Sequence, residues 1–256
     1  MPFEYVSVEE AMKRRGLRMV VVGGVPSPWG EAAKGILHIK GIDWVAVRLV
    51  YDSEPLKEWA GRRSGPVAIY DDERPRAGWA EILLMAERLA PTPSLLPTDP
   101  AERALVFGLA HEICGECGLG WMRRLQLMHA GLQNSGGFPV RVSSYLAKKY
   151  GYSPDAGAAA DVRVVELLAM LAARLKAQRQ AGSRYYVGNA LTAVDIYSAT
   201  FTAMFGPLPS FQCAMEASSR AAFETLDAPT AAALDPILFE HRDMMYREWL
   251  ESPLAL

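Results

Sequence analysis

Prolines 91, 93, 97 and 100 fall within one short stretch, Ala90 to Pro100. Each fixes its own φ and removes a backbone donor, so no regular element runs through that stretch. It divides the 256-residue chain into two parts with different periodicities. Before it, short β-branched runs alternate with amphipathic segments. After it, everything reads as helix. The expected organisation is therefore an α/β domain over 17–90, a linker over 91–100 and an all-helical domain over 101–256.

In the first part, Met19-Val20-Val21-Val22, Trp44 to Val50 and Val67-Ala68-Ile69-Tyr70 read as buried strands. Glu31 to His38 has helical spacing, with Ala32, Ala33, Ile36 and Leu37 on one side. Pro55 to Gly61 reads as a short link. Asp71-Asp72-Glu73 reads as a turn, and Arg74 to Arg76 as a short edge strand. Trp79 to Leu89 carries the wide apolar stripe of a helix. The order is β-α-β, a connection, then β-β-α.

The junction after the first strand is the most informative local feature. Gly23-Gly24-Val25-Pro26 ends the strand, and Ser27-Pro28 opens the helix. Ser27 sits at the N-cap and Pro28 at the first helical position, where a missing N–H costs nothing. A hydroxyl beside unpaired amides at the positive end of a helix suits an anion, a thiolate as well as a phosphate. The other reading is that Ser27 only caps its helix.

In the second part, Ala101 to about Ala130 reads as one long helix, bent near Gly115, Gly118 and Gly120. Val140 to Tyr150 and Asp161 to Gln180 follow, and Asp235 to Leu250 closes the chain. Thr192 with Asp195 three residues on forms a capping box, and Leu191 with Ile196 forms a hydrophobic staple. Asp195 is therefore read as structural.

Composition excludes several classes. Half of the residues are hydrophobic and the net charge is only −2, so nothing points to nucleic acid. No apolar run approaches a membrane span, and the charged stretch Met1 to Arg18 is not a secretory signal. Three cysteines make no disulfide framework, which implies a reducing, cytoplasmic setting. His111, Cys114 and Cys117 recur at three-residue steps, but no fourth ligand stands at a recognised spacing, so no metal is expected. Cys114 and Cys117 also form a CxxC. A redox CxxC belongs after the first strand, where Ser27 stands instead.

The order of these elements resembles the glutathione transferase superfamily, a thioredoxin-like domain followed by a helical bundle. Ser27-Pro28-Trp29-Gly30 resembles the Ser-Pro-Phe-Gly turn of the serine-type, tau-like members. Lys40-Gly41-Ile42 resembles the close of their first helix, and Gly65-Pro66-Val67 their Val-Pro-Val step with its cis proline. Asp71-Asp72 falls at the following hairpin turn. Leu95-Leu96-Pro97 with Asp99 to Arg103 resembles the interdomain link, and Val187 to Asp195 the capping-box segment. The likeness spans roughly Leu17 to Phe205.

The resemblance implies that Ser27 donates its hydroxyl to the sulfur of glutathione, the co-substrate. It implies that Gly65, before a cis Pro66, pairs its backbone with the cysteinyl part of the tripeptide. A trans proline at a strand start is the alternative. It places Lys40 near the glycyl carboxylate; a solvated lysine at a helix end is the other reading. The family's Glu-Ser pair, which grips the γ-glutamyl end, falls on Gly78-Trp79 by the helix stripe, or on Ala77-Gly78 by a gapless count. Either way both side chains are lost. Each lost hydrogen bond to a charged group is worth about 1.5–3 kcal/mol. Asp71, Asp72, Glu73 or Glu81 are the acids that could substitute, and Arg76 could meet a carboxylate.

The function so implied is a detoxification enzyme that transfers the glutathione thiol to a hydrophobic electrophile, as a cytoplasmic homodimer. Trp121, Met122, Leu125, Met128 and Phe211 are candidates for the electrophile pocket, with ordinary interhelical core as the other reading. The alternative function is a non-catalytic protein of the same fold that has lost glutathione affinity. A CxxC thiol–disulfide exchanger ranks third.

Overall fold

The computed structural model describes residues 4–256, so the first three residues of the charged N-terminal stretch lie outside it. The chain divides into two compact units. One runs up to Ser94 and takes back Ser210–Met215 and Trp249–Leu256; the other comprises Leu95–Pro209 and Glu216–Glu248. The division lies between Ser94 and Leu95, and two later segments return to the first unit. No helix among the described residues is long and apolar enough to cross a membrane.

The first unit has four strands, β1 (Tyr5–Val6), β2 (Leu17–Val21), β3 (Trp44–Arg48) and β4 (Val67–Tyr70), in the order β1-β3-β2-β4. Its main helices are α1 (Val8–Lys13), α2 (Pro28–Ile39), α3 (Glu54–Ala60) and α4 (Trp79–Leu89). β2 is fully buried and is paired on both edges, parallel to β3 and antiparallel to β4. Strand alternation then sorts the faces. Val20, Val47, Val67 and Ile69 pack with Ala11 of α1 and with Leu56 and Ala60 of α3. Met19, Ala46 and Ala68 point the other way, toward α2 and α4, which pack on each other.

Two features of this unit differ from the expectation. The charged N-terminal stretch forms β1 and α1, with Tyr5 and Val6 in parallel register with Ala46 and Val47. Their brevity hides them, since two strand residues and six helix residues give no period to detect. The expected edge strand at Arg74 to Arg76 is reduced to a single bridge, Ala68 to Arg76. Pro75 in its middle has no N–H to extend a ladder.

The second unit contains α5 (Pro100–Cys114), α6 (Leu119–Leu132), α7 (Val140–Tyr150), α8 (Pro154–Gln180), α9 (Ala193–Thr202), α10 (Ala217–Glu224), α11 (Ala228–Ala233) and α12 (Pro236–Glu248). The long helix expected from Ala101 is two helices. A Cβ on Gly118 would lie 2.8 Å from the carbonyl oxygens of His111 and Glu112, so the chain turns where only glycine fits. α8 begins seven residues before the expected Asp161, because Ser153 caps it (Ala156 N to Ser153 Oγ, 3.1 Å) and Pro154 opens it.

Every residue of α9 is buried, and Asp195 ties it in place. Its carboxylate accepts from Thr192 N and Thr192 Oγ1, both at 2.8 Å, from Tyr186 N at 2.9 Å, and from His241 Nε2 of α12 at 3.0 Å. The structural role read for Asp195 thus extends to a second helix. Asp195→Ala is expected to destabilise the helical unit by about 3–5 kcal/mol, the usual cost of breaking a buried charged network. Chemical denaturation followed by circular dichroism measures it; an unchanged midpoint would contradict this role.

Candidate functional site

Three segments converge at the C-terminal end of β2. That strand leads directly into the turn that ends at Ser27. β4 runs antiparallel to it with Val67 opposite Val20, so Gly65 and Pro66 lie level with the start of that turn. The Gly65-Pro66 peptide bond is cis. A Cβ on Gly65 would meet the Val20 carbonyl oxygen at 3.2 Å and the Val22 nitrogen at 3.5 Å, so this backbone lies close against the end of β2. After β4 the chain turns back, and the bridge from Arg76 to Ala68 returns Gly78 and Trp79 to the same end.

Ser27 is buried, with 5% of its surface exposed, and it sits at the N-cap with an extended backbone. Its carbonyl accepts from Glu31 N at 2.7 Å, yet its hydroxyl makes no capping hydrogen bond. The purely capping reading of Ser27 is therefore not what the side chain does. α4 has no side-chain cap either, since its N-cap is Gly78. By contrast, Ser7 caps α1 and Ser53 caps α3 through their hydroxyls. Of the four helices of the first unit, α2 and α4 are the two whose N-cap residue gives no side-chain cap. Each such start is an anion-binding element, with donors aimed outward and a favourable dipole.

The acids named as substitutes for the Glu-Ser pair are already engaged. Asp71 accepts from Gly16 N at 2.8 Å, and Asp72 pairs with Arg15. Glu73 holds Arg76 at 2.6 Å and Arg88 at 2.7 Å. Glu81 bonds Arg74 at 2.8 Å and turns back to Gly78 N at 3.2 Å. The Arg74 bond and the backbone donors keep the Glu81 carboxyl below its usual range, against a smaller opposing effect of burial. Glu81 is the acid nearest the start of α4.

Lys40 stands differently from the expectation. Its ammonium is fully buried and donates to Ala90 O at 2.6 Å and Pro93 O at 2.8 Å, with Glu87 at 2.8 Å. All three donors are used inside the unit, where they fasten the end of α4, so none remains for a glycyl carboxylate. Neither the solvated nor the ligand-facing reading describes it.

A buried pair went unread in the sequence. Glu31 lies one turn beyond Ser27 and meets Lys34 at 2.7 Å, both nearly enclosed, while Lys34 also donates to Ala255 O at 2.7 Å. Burial pushes the Glu31 carboxyl up, with Lys34 opposing. Their i, i+3 spacing looks like a solvated surface pair. Only the return of the C-terminal segment covers them.

In the helical unit, Leu125 and Met128 belong to a buried cluster with Trp121 and Met122 packed against it. Trp121 also meets Tyr150 edge-on at 4.6 Å. Core is therefore the reading these residues satisfy. Phe211, in the first unit, is 78% exposed. Cys114 is buried at the end of α5 and Cys117 is exposed in the turn that follows. Burial pushes the Cys114 thiol well up, which makes it a poor nucleophile. Among the described residues no three His, Cys, Asp or Glu side chains form a metal-ligating group.

No family model matches the chain, and no curated protein sequence matches it. Solved structures do. A glutathione S-transferase of Methylobacterium radiotolerans in complex with glutathione sulfonate is 21% identical, with 91% of each chain covered and a TM-score of 0.59. A glutathione transferase family member from Pseudomonas fluorescens with two glutathione bound is 13% identical, with 94% of each covered and a TM-score of 0.63. A tau-class glutathione S-transferase from the mango Mangifera indica is 18% identical, with 91% of this chain and 98% of that one covered and a TM-score of 0.53. The chain has the glutathione transferase fold, a thioredoxin-like unit and a helical unit.

Two outcomes are expected from these placements. Lys40→Met should lower stability by about 3–5 kcal/mol, because it strands buried acceptors and Glu87. Unchanged unfolding with weakened glutathione binding would reverse that assignment. Iodoacetamide at mildly alkaline pH should label Cys117 well before Cys114, as read by peptide mass spectrometry.

Proposed function

We propose that this protein ionises the thiol of glutathione at Ser27 and transfers it to a hydrophobic electrophile, as a cytoplasmic homodimer of the glutathione transferase type. The observation that carries the reading is the Ser27 hydroxyl, buried at the start of α2 and not used by its helix. Gly65, before its cis proline, would pair with the cysteinyl backbone. The first turn of α4, from Trp79 onward, would receive the γ-glutamyl carboxylate, the Gly78 amide being held by Glu81. No metal takes part.

The energetics are sufficient. A free thiol titrates near ~8.5, and lowering that by about two units needs roughly 2.7 kcal/mol. A hydroxyl donating to the thiolate supplies about 1.5–3 kcal/mol. The helix start adds about 0.3–1 kcal/mol. The thiol proton leaves to water, and the sulfur then forms its bond to the electrophilic carbon as the leaving group departs or the double bond takes up a proton. No general base is required.

A second reading, a non-catalytic binding protein of this fold, is favoured by one observation. Gly78 and Trp79 supply neither the carboxylate nor the hydroxyl of the Glu-Ser pair, and the neighbouring acids are engaged elsewhere. The two readings separate in one experiment. Under the first, wild type conjugates glutathione to an electrophile panel and Ser27→Ala loses about ten- to hundredfold in kcat/KM, the value of one hydrogen bond to a charged sulfur. Equal inactivity of both selects the second.

The missing pair can also be rebuilt. Gly78 has an ordinary φ of −74°, and a Cβ there would meet only the flexible end of Glu81 at 3.2 Å. Gly78→Glu with Trp79→Ser is expected to tighten glutathione binding about tenfold or more by calorimetry. Light scattering should give twice the 28.1 kDa chain mass; a monomer would remove the dimer from the proposal.

A further inference from the structure

We propose that the outward face of α7 is a docking surface for a lipid bilayer that carries anionic headgroups. The inference does not rest on glutathione binding, and it concerns adsorption to a membrane surface, not a crossing. It begins with the helix itself, which contains no acidic residue. Ser143 and Leu146 are buried, and they fix the side that packs into the unit. At about 100° per residue, Arg141, Tyr145, Lys148 and Lys149 fall on the opposite side, with Val140 and Val142 at its margins. Val140 is 49% exposed, Val142 41% and Tyr145 51%. Apolar and aromatic side chains interleaved with cations are the pattern of a helix that lies in a membrane interface. A face turned only to water gains nothing from two valines and a tyrosine ring.

The positive charge on this face is not compensated within the protein. On α8, Arg163 is paired with Glu112 and Glu166, and Lys176 with Asp235. Among the described residues no carboxylate pairs in this way with Arg141, Lys148 or Lys149. Arg124 of α6 adds to the field. Its guanidinium lies 5.6 Å from the centre of the Tyr150 ring, and the Lys149 ammonium lies 5.8 Å from the same centre. Burial, and after it the Arg124 charge, push the Lys149 ammonium below its usual pKa, with no carboxylate opposing. The whole chain has a net charge of −2, so these cations are a local concentration and not a general excess.

Charge and apolarity together select the occupant. An anionic headgroup layer meets the cations, and the hydrocarbon boundary beneath it takes the valines and the tyrosine ring. The lysine stems lie along that boundary while their ammonium groups stay among the headgroups. A second copy of the chain, packed across a twofold axis, would set this face against itself and bring like charges together.

Sedimentation of the intact protein with vesicles tests this, using phosphatidylcholine alone and phosphatidylcholine with phosphatidylglycerol at about three to one. Binding only to the vesicles that contain phosphatidylglycerol is expected, and it should weaken as salt is added. Arg141→Gln with Lys148→Gln should weaken it about 25-fold, about fivefold for each cation. Both side chains are exposed and pair with no carboxylate, so the fold is not at stake in that variant. Tyr145→Ser should weaken binding about fivefold at unchanged charge. The proposal is overturned by no sedimentation with the anionic vesicles, by equal binding to both kinds, or by unchanged binding in the double variant. Polyglutamate bound as tightly as the anionic vesicles, with Tyr145→Ser without effect on either, would assign the face to an acidic polypeptide and overturn the bilayer.

Discussion

The double pairing of β2 governs the first unit. A strand hydrogen-bonded on both edges and buried on both faces has no freedom of register, since a slip of one residue would exchange Val20 and Val47 with Met19 and Ala46. Its end therefore fixes where the Ser27 turn begins. The antiparallel β4 fixes where Gly65 and Pro66 fall, and the bridge at Arg76 fixes where α4 starts. The geometry at this end of the sheet follows from one strand.

Against that rigid frame, helix capping is distributed unevenly. Side-chain caps contribute about 0.5–2 kcal/mol each, and α1 and α3 have them. α2 and α4 do without, although Ser27 has the chemistry to cap. Stability from an N-cap side chain is forgone at these two helix starts.

The strands, the main helices of the first unit and the Thr192–Asp195 cap were legible in the sequence, because each leaves a local signature of period or spacing. What escaped was non-local. Lys40 and Lys34 look like solvated lysines until Pro93 and Ala255, distant in sequence, supply their carbonyl partners. His241 looked like one of four scattered histidines until α12 brought it to Asp195. At Ser27 the residue and its place were readable, but whether its hydroxyl served the helix was not. That depends on a rotamer, which spacing does not encode.

The short N-terminal strand has a further consequence. β3 would otherwise expose a row of unsatisfied main-chain groups along a hydrophobic margin, the usual template for strand-to-strand association between molecules. Tyr5 and Val6 occupy that margin, and the acidic and basic side chains of α1 follow at once. A segment too brief to add much cohesion of its own thus protects the protein against self-templated aggregation.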